Sequence, residues 1–332
     1  MKGVIFKGLT DIRLTPLFYL EASLSSCIFT NSWYNEVGFN LIKLMGMIKY
    51  AYFNGEIISE EEVKINFNDL GFARGYAVFD AMKTVKRQPF LIKSHFRRLQ
   101  NSAKLLNINF KMILSEFVQI IEQLLDKNQN AFSFKKELTI KTTVTGGVST
   151  NGIEMDGEAT IIITIGDLSL VEPKEKLYNL GIKTILVDFQ RIIPEAKTTN
   201  YLMAIKNQER KKESRAMEII YQHKNLLLEG ATSNIFIVKD GTIITPMRNI
   251  LSGTMRNLII KLLKKEGAIV ETRDVMMSET FNADEIFLTG TFKNILPVRQ
   301  IDDRMIGDGQ VGKITKKAIK LLKKYIEDLY TC

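Results

Sequence analysis

Three short segments carry side chains whose types could act together on one small molecule. Pro194-Glu195-Ala196-Lys197-Thr198-Thr199-Asn200-Tyr201-Leu202 offers an amine, Lys197, and a phenol, Tyr201. If the segment is helical, four-residue spacing puts both on one face. Leu228-Glu229-Gly230-Ala231-Thr232-Ser233-Asn234-Ile235-Phe236 offers a carboxylate, Glu229, at the end of the apolar run Leu226-Leu227-Leu228. Leu251-Ser252-Gly253-Thr254-Met255-Arg256 opens a helix after Gly253, so the amides of Thr254 and Met255 are free to point at an anion. Each segment alone has a plain reading. A lysine in a loop before a helix is ordinarily solvated, a Glu before a Gly is ordinarily a turn residue, and Arg98 on an earlier helix is ordinarily at the surface.

Other chemistries find less support. Two histidines and two cysteines (Cys27 and Cys332) leave no ordinary zinc cluster, and a disulfide framework is excluded. Neither His95 nor His223 has a G-x-S-x-G partner for a hydrolytic triad. Gly307-Asp308-Gly309-Gln310-Val311-Gly312 matches a dinucleotide fingerprint. The chain ends before the strand and acidic residue that such a unit needs, so we read a glycine turn before the last helix.

The elements that must position these groups fall into an α+β arrangement. A clean pattern starts at Met47; residues 1–46 show no sustained period and are expected to form a poorly ordered N-terminal extension. Residues 47–166 read as a small module. Strands at 48–53 and 56–58 form a hairpin across Asn54-Gly55, and a strand at 77–86 follows. Helices are expected at 93–106 and 111–127, the second with Ile113, Phe117, Ile120, Ile121 and Leu124 on one face. Strands at 136–145 and 158–165 close the module. Residues 167–175 read as a connector, and 176–332 as a larger domain. There we expect a strand at 182–188, a helix at 199–214, strands at 217–221, 226–229, 234–239 and 242–245, and a helix from Thr254 to Gly267. The cleft between the two lobes is the default site.

Two further blocks, His95-Phe96-Arg97-Arg98-Leu99 and Phe287-Leu288-Thr289-Gly290-Thr291, complete a set of five that stand in order from about Met47 to the C-terminus. Together they resemble the class IV, fold-type IV pyridoxal-phosphate enzymes: branched-chain and D-amino-acid aminotransferases and aminodeoxychorismate lyase. The resemblance implies two α/β lobes, a small one and a larger mixed β-barrel-like one, with pyridoxal 5′-phosphate between them. It implies that Lys197 holds the cofactor as a Schiff base and moves protons. Tyr201 would bond the cofactor phenolate oxygen, and Glu229 would face the pyridine nitrogen. Leu251 would pack beneath the ring. Arg98, Thr254, Met255 and Thr291 would hold the phosphate, and Gly290 and Phe292 would stand beside the substrate. Many members carry a second hydroxyl residue where this chain has Met255. That leaves only the amide, a loss of roughly 0.5–1.5 kcal/mol.

Substrate recognition departs from the better-known members. Branched-chain enzymes usually carry a tyrosine where Arg74 aligns, and a Tyr-x-Arg where this chain has Leu138-Thr139-Ile140. D-amino-acid enzymes carry an Arg-x-His where it has Asn151-Gly152-Ile153, and the lyase has Asn at Thr291. Arg74 is therefore the candidate clamp for the substrate α-carboxylate, with Phe79 as an apolar wall; the alternative is an outward strand-end arginine. The expected activity is ping-pong transamination between an amino acid, branched-chain favoured, and a 2-oxo acid. A D-amino-acid donor and the lyase reaction are the alternatives. The resemblance also implies a homodimer, in which the partner's small lobe, Arg74 included, completes the pocket.

Composition agrees with a globular enzyme. The chain has 332 residues, 45% hydrophobic and 25% charged. Its charge of +9 suits an anionic ligand or a lysine-rich surface. The densest group, Lys313, Lys316, Lys317, Lys320, Lys323 and Lys324, sits in an amphipathic pattern and reads as a solvated helix face. No aromatic-and-basic platform for nucleic acid accompanies it. No stretch is apolar enough for a membrane span, the start is too charged for a signal peptide, and a cytoplasmic setting is expected.

Overall fold

A computed structural model describes residues 49–132 and 136–331. The expected extension at 1–46 lies outside the described residues. Among the described residues run sixteen strands and nine helices of four or more residues. The strands are β1 (Tyr50–Phe53), β2 (Glu56–Ser59), β3 (Ala77–Val85), β4 (Gln88–Pro89), β5 (Leu138–Thr145) and β6 (Ile161–Asp167), then β7 (Ile182–Asp188), β8 (Glu218–His223), β9 (Leu226–Gly230), β10 (Asn234–Lys239), β11 (Thr242–Thr245), β12 (Val270–Thr272), β13 (Val275–Met276), β14 (Glu285–Gly290), β15 (Asn294–Ile301) and β16 (Arg304–Met305). The helices are α1 (Leu70–Arg74), α2 (Ile92–Leu105), α3 (Leu114–Lys127), α4 (Lys176–Leu180), α5 (Leu202–Lys206), α6 (Gln208–Glu213), α7 (Thr254–Lys265), α8 (Met277–Phe281) and α9 (Lys313–Leu329).

The first six strands form one antiparallel sheet in the order β2-β1-β6-β5-β3-β4. Alternation sends Val78 and Met82 of β3, and Leu138, Ile140 and Val144 of β5, to a buried face. Helices α2 and α3 cover that side with Phe96, Phe117, Ile120, Ile121 and Leu124. Burying a side chain of Phe117's size contributes about 1.5–3 kcal/mol. Ile113, expected on the same face, is 61% exposed. Its backbone is extended, and the helix starts one residue later.

The remaining strands form a mixed sheet in the order β12-β11-β10-β14-β15-β7-β8-β9-β13, with β16 on β15. Pairs β11/β12, β15/β7 and β7/β8 are parallel and the rest antiparallel. One core lies among Ile182, Ile220, Ile235, Ile237, Leu288 and Leu296. A second packs α7 and α9 against Phe236 and Phe287, whose rings stack at 4.8 Å. Helix α7 presents Met255, Leu258, Ile259 and Leu263 as its period predicts and stops before Gly267, which holds φ +75°.

One loop joins the two sheets where it matters. After β7 the chain crosses to the first residues of β3. There Phe79 N donates to Lys197 O at 2.9 Å, Thr199 N donates to Ala77 O at 3.0 Å, and Val78 pairs with Thr198. The expected helix over 199–214 is two short helices instead. Residues 198–201 are spent on this crossing and cannot coil.

Candidate active site

Lys197 is fixed through its backbone before its side chain does anything. Its N–H donates to Ser102 Oγ of α2 at 3.0 Å, and its carbonyl is held by β3. The side chain then extends into the space between the sheets, with Nζ 4.5 Å from the centre of the Phe79 ring. Burial, followed by the nearby Arg98 charge, holds the amine down at about 7. An ordinary lysine is almost wholly protonated at neutral pH; this one is free in a substantial fraction of molecules. Tyr201 packs on the other part of Phe79, ring centres 5.8 Å apart. The two residues approach through an extended segment, not along a helical face. Burial pushes the Tyr201 phenol up to about 12, so it stays a hydrogen-bond donor.

Glu229 stands at the end of β9, where the strand's burial pattern delivers it to the cavity floor. Arg191 Nε donates to its Oε1 at 2.8 Å, and Leu251 N donates to Oε2 at 2.9 Å. Burial pushes its carboxyl up, while the Arg191 charge and the Leu251 amide pull it down. Arg191 also donates to the carbonyls of Ala196 and Pro194. A single guanidinium therefore ties the acid to the lysine loop.

Arg98 and the start of α7 form an anion cradle in the same cavity. Arg98 is held by Asp80, Nε to Oδ2 at 2.7 Å and Nη2 to Oδ1 at 2.9 Å. His95 Nδ1 reaches the same carboxylate at 2.7 Å, and its Nε2 lies 3.4 Å from Thr254 Oγ1 at the start of α7. Gly253 caps that helix, and a Cβ there would overlap Asn234 Oδ1. Asn234 Nδ2 in turn holds Leu251 O at 2.8 Å.

These groups surround a cavity lined by Arg98, Arg191, Lys197, Tyr201, Glu229, Leu251, Thr254, Met255, Gly290 and Thr291, among others. A phosphorylated pyridine aldehyde fits the donor set. Helix amides and a guanidinium face the place for an anion, a carboxylate stands ready for a ring nitrogen, and a low-pKa amine is in reach of both. Thr289, also in the lining, has a buried hydroxyl with no hydrogen-bond partner among the described residues.

Of the residues expected from sequence, Arg98, Lys197, Tyr201, Glu229, Leu251, Thr254, Met255, Gly290 and Thr291 line this cavity. Met255 turns its side chain into the core, so it offers only its amide. Phe79 touches Lys197 and Tyr201 from outside the lining. Phe292 sits half-buried in the turn after β14, next to Thr291. Arg74 is not in the Lys197 cavity. It ends a short helix, not a strand, and donates from Nε to Gly152 O at 3.1 Å beside a neighbouring cleft that includes Tyr76, Phe189, Arg191 and Ile192. Sequence reasoning missed Asp80, Arg191, Ser102 and Asn234. The one visible signal was Arg191, a lone charge in the run Phe189-Gln190-Arg191-Ile192-Ile193.

Comparison with known proteins gives the family and the fold. The family described as amino-transferase class IV matches residues 77–301. A protein of Methanocaldococcus jannaschii named as a branched-chain-amino-acid aminotransferase is 32% identical over 290 residues, covering 84% of this chain and 96% of its own. D-alanine aminotransferase of Bacillus licheniformis is 27% identical over 277 residues, covering 82% and 96%. Among solved structures, Escherichia coli branched-chain amino acid aminotransferase is similar at a TM-score of 0.76 and 25% identity, over 84% of this chain and 95% of its own. A T.th. branched-chain amino acid aminotransferase with pyridoxamine 5′-phosphate gives a TM-score of 0.77 at 22% identity, over 86% and 96%. The two-lobed α+β architecture with a curled mixed sheet is the fold of these structures.

Proposed function

Because this chain belongs to the class IV aminotransferase family, we propose that it moves an amino group from a branched-chain amino acid to a 2-oxo acid in the cavity around Lys197. Transamination itself follows from the family, and the cofactor is pyridoxal 5′-phosphate. The observation that carries the reading is the convergence of Lys197, Glu229 and Arg98, from three distant segments, on one cavity. The branched-chain donor is supported by relatives of that name at 32% and 30% identity. The relatives named for D-alanine stand at 26–28%.

When bound, the cofactor supplies an aldehyde that combines with amines and a ring that withdraws electrons. The chain's own residues do the rest. Lys197 Nζ, held down at about 7 and so free in a substantial fraction of molecules at neutral pH, would hold the cofactor aldehyde and would move the α-proton of the amino acid. Glu229, whose carboxyl is pushed up by burial and pulled back by the Arg191 charge and the Leu251 amide, would hold a proton on the ring nitrogen. Tyr201 donates from its hydroxyl. Arg98, the α7 amides and Thr291 would hold the phosphate, and Leu251 would give the ring an apolar contact. Phe79 packs against the apolar part of the substrate and keeps water from Lys197.

The working unit of this reading is a homodimer in the cytoplasm, with lobes at 47–166 and 176–332 joined by 167–175. Support comes from Phe67 (74% exposed), Phe72 (73%), Ile153 (78%) and Ile192 (83%). Phe67 and Phe72 flank or belong to α1, which carries Arg74; Gly152, beside Ile153, accepts from Arg74; and Ile192 lines the same cleft. Apolar side chains so exposed want a partner surface. Across such an interface Arg74 of one subunit serves the cavity of the other. No described helix is long and apolar enough to cross a membrane.

The test is the visible spectrum of the purified protein with cofactor, before and after single amino acids are added. L-leucine should bleach the cofactor band and D-alanine should not. The reverse pattern would place the protein with D-amino-acid enzymes, and release of pyruvate from aminodeoxychorismate without an acceptor would make it a lyase.

A further inference from the structure

We propose that Lys293 is a positioning residue: paired with buried Glu218, it clamps the turn after β14 onto the turn after β9 and so sets how tightly the cavity holds its substrates. The inference rests on the transaminase reading above. Both segments line the cavity around Lys197, one with Gly290 and Thr291, the other with Thr232 and Ser233. They touch: a Cβ added to Gly290 would stand 3.4 Å from Thr232 O and 3.9 Å from Ser233 Cβ.

Glu218 opens β8 and is buried. Its carboxylate collects four donors. Ile219 N donates to Oε1 at 3.0 Å, and Oε2 accepts from Thr232 Oγ1 at 2.7 Å, from Ser233 Oγ at 3.2 Å and from Lys293 Nζ. Lys293 Nζ also donates to Thr232 Oγ1. Burial pushes the carboxyl up, but the Lys293 charge and these hydrogen bonds hold it below its ordinary value, so it stays ionised at neutral pH. One acid thus gathers the hydroxyls of one turn and the ammonium of the other.

The hairpin does not need this pair in order to form. Gly290 and Asn294 close the β14/β15 ladder through their backbones. The ladder fixes the ends of the loop between them and leaves its lean over the cavity to side chains. Tyr178 Oη donates to Lys293 O at 3.1 Å, and Lys83 Nζ donates to Asn294 Oδ1 at 2.6 Å, which hold the base of the loop. Among the described residues, only the Lys293 ammonium reaches across by a side-chain hydrogen bond to the facing turn. A buried ion pair is a weak source of stability, because desolvating two charges offsets most of their attraction, but it fixes geometry closely. Neither Lys293 nor Glu218 is in the cavity lining. The pair therefore acts through the backbone of Gly290, Thr291 and Thr232, and acts alike on amino donor and oxo acceptor, which share the cavity.

Lys293→Met keeps the side chain's length and removes its charge. With L-leucine as donor and 2-oxoglutarate as acceptor, KM for both should rise about tenfold. Turnover at saturation should stay within about twofold, the pattern of lost binding without lost chemistry. Lys293→Arg, which keeps the pairing charge, should recover most of the affinity. A ligand that cannot react, 4-methylpentanoate, makes the same comparison without turnover: its Kd for the cofactor-loaded protein, measured by calorimetry, should rise as KM does. The double variant Lys293→Met with Glu218→Gln leaves no charge buried alone and keeps an acceptor for the Thr232 and Ser233 hydroxyls. It separates the loss of the clamp from a folding defect and should match Lys293→Met. Unchanged KM and Kd in the double variant, a fall in kcat with KM unmoved, or no recovery in Lys293→Arg overturns the assignment. A wild-type protein that transfers no amino group overturns the transaminase reading itself, which separates the two failures.

Discussion

Asp80 accepts hydrogen bonds from both His95 and Arg98, which stand three residues apart on one helix. The carboxylate lies far below its usual range because the Arg98 and His95 partners outweigh its burial. An ionised Asp80 can only accept, so His95 Nδ1 carries the proton, and Nε2 is left to accept from the Thr254 hydroxyl. Burial keeps His95 itself in its neutral form. Arg98 and the start of α7, the two halves of the anion cradle, are thereby fixed to one acid.

Asp80→Asn should cost about 3–5 kcal/mol of stability, the usual result of leaving one member of a buried ion pair alone. Urea denaturation of the two proteins measures it. Because Asp80 is depressed on folding, its stabilising contribution is full above the ordinary carboxylate pKa and is lost only as pH falls through the lower folded value. The wild-type advantage over Asp80→Asn should therefore persist into mildly acid buffer. Cofactor affinity, read by titrating the apoprotein, should fall in parallel.

Arg191→Met should release Glu229 from the charge that opposes its burial. The carboxyl then rises further and spends more time protonated, where it cannot hold a proton on the ring nitrogen. We expect kcat to fall about 100-fold with a smaller change in KM. Arg191→Lys should recover little, since a single ammonium cannot serve Glu229 and the Ala196 and Pro194 carbonyls in one plane. Steady-state kinetics with L-leucine distinguish these outcomes.

Glu229→Gln should lower turnover by about 100-fold or more while leaving phosphate binding nearly intact, because Glu229 bonds to Arg191 and the Leu251 amide and not to Arg98 or the α7 amides. A Glu229→Gln protein that lost cofactor but turned over normally when saturated would reverse the roles assigned here.

The amine of Lys197 sits at about 7, so below that pH it is mostly protonated and above it mostly free. In the apoprotein, modification of Lys197 by an acylating reagent should rise through a midpoint near pH 7, well before the surface lysines respond. Peptide mapping from mildly acid to mildly alkaline buffer follows it. A midpoint in the range of an ordinary lysine would show that burial and Arg98 do not act on this amine as described.

Much of the site was legible in the sequence where the signal is local. Lys197, Glu229 and the Gly253 cap lie in short segments whose glycines, hydroxyls and charges are set by nearby backbone. Helix α7 followed its period to Gly267. What failed depended on long-range contact. Asp80 and Arg98 are 18 residues apart and Arg191 and Glu229 are 38 apart, and no periodicity announces such pairs. The helix expected over 199–214 fails because Thr199 spends its amide on Ala77 of another sheet. The short helix that ends at Arg74 was not expected although its signal was present. Asp69 caps Gly71 N at 2.7 Å and Gly75 takes φ +65°, a start and a stop for a helix only five residues long. So short a helix shows no period.

Which amine holds the cofactor decides the rest. Purified protein saturated with pyridoxal 5′-phosphate should be reduced with borohydride, digested and mapped by mass. The pyridoxyl group should appear on the peptide containing Lys197, and Lys197→Ala should carry none there and lose transaminase activity. Stoichiometric labelling at another lysine, or full activity in Lys197→Ala, would contradict the account.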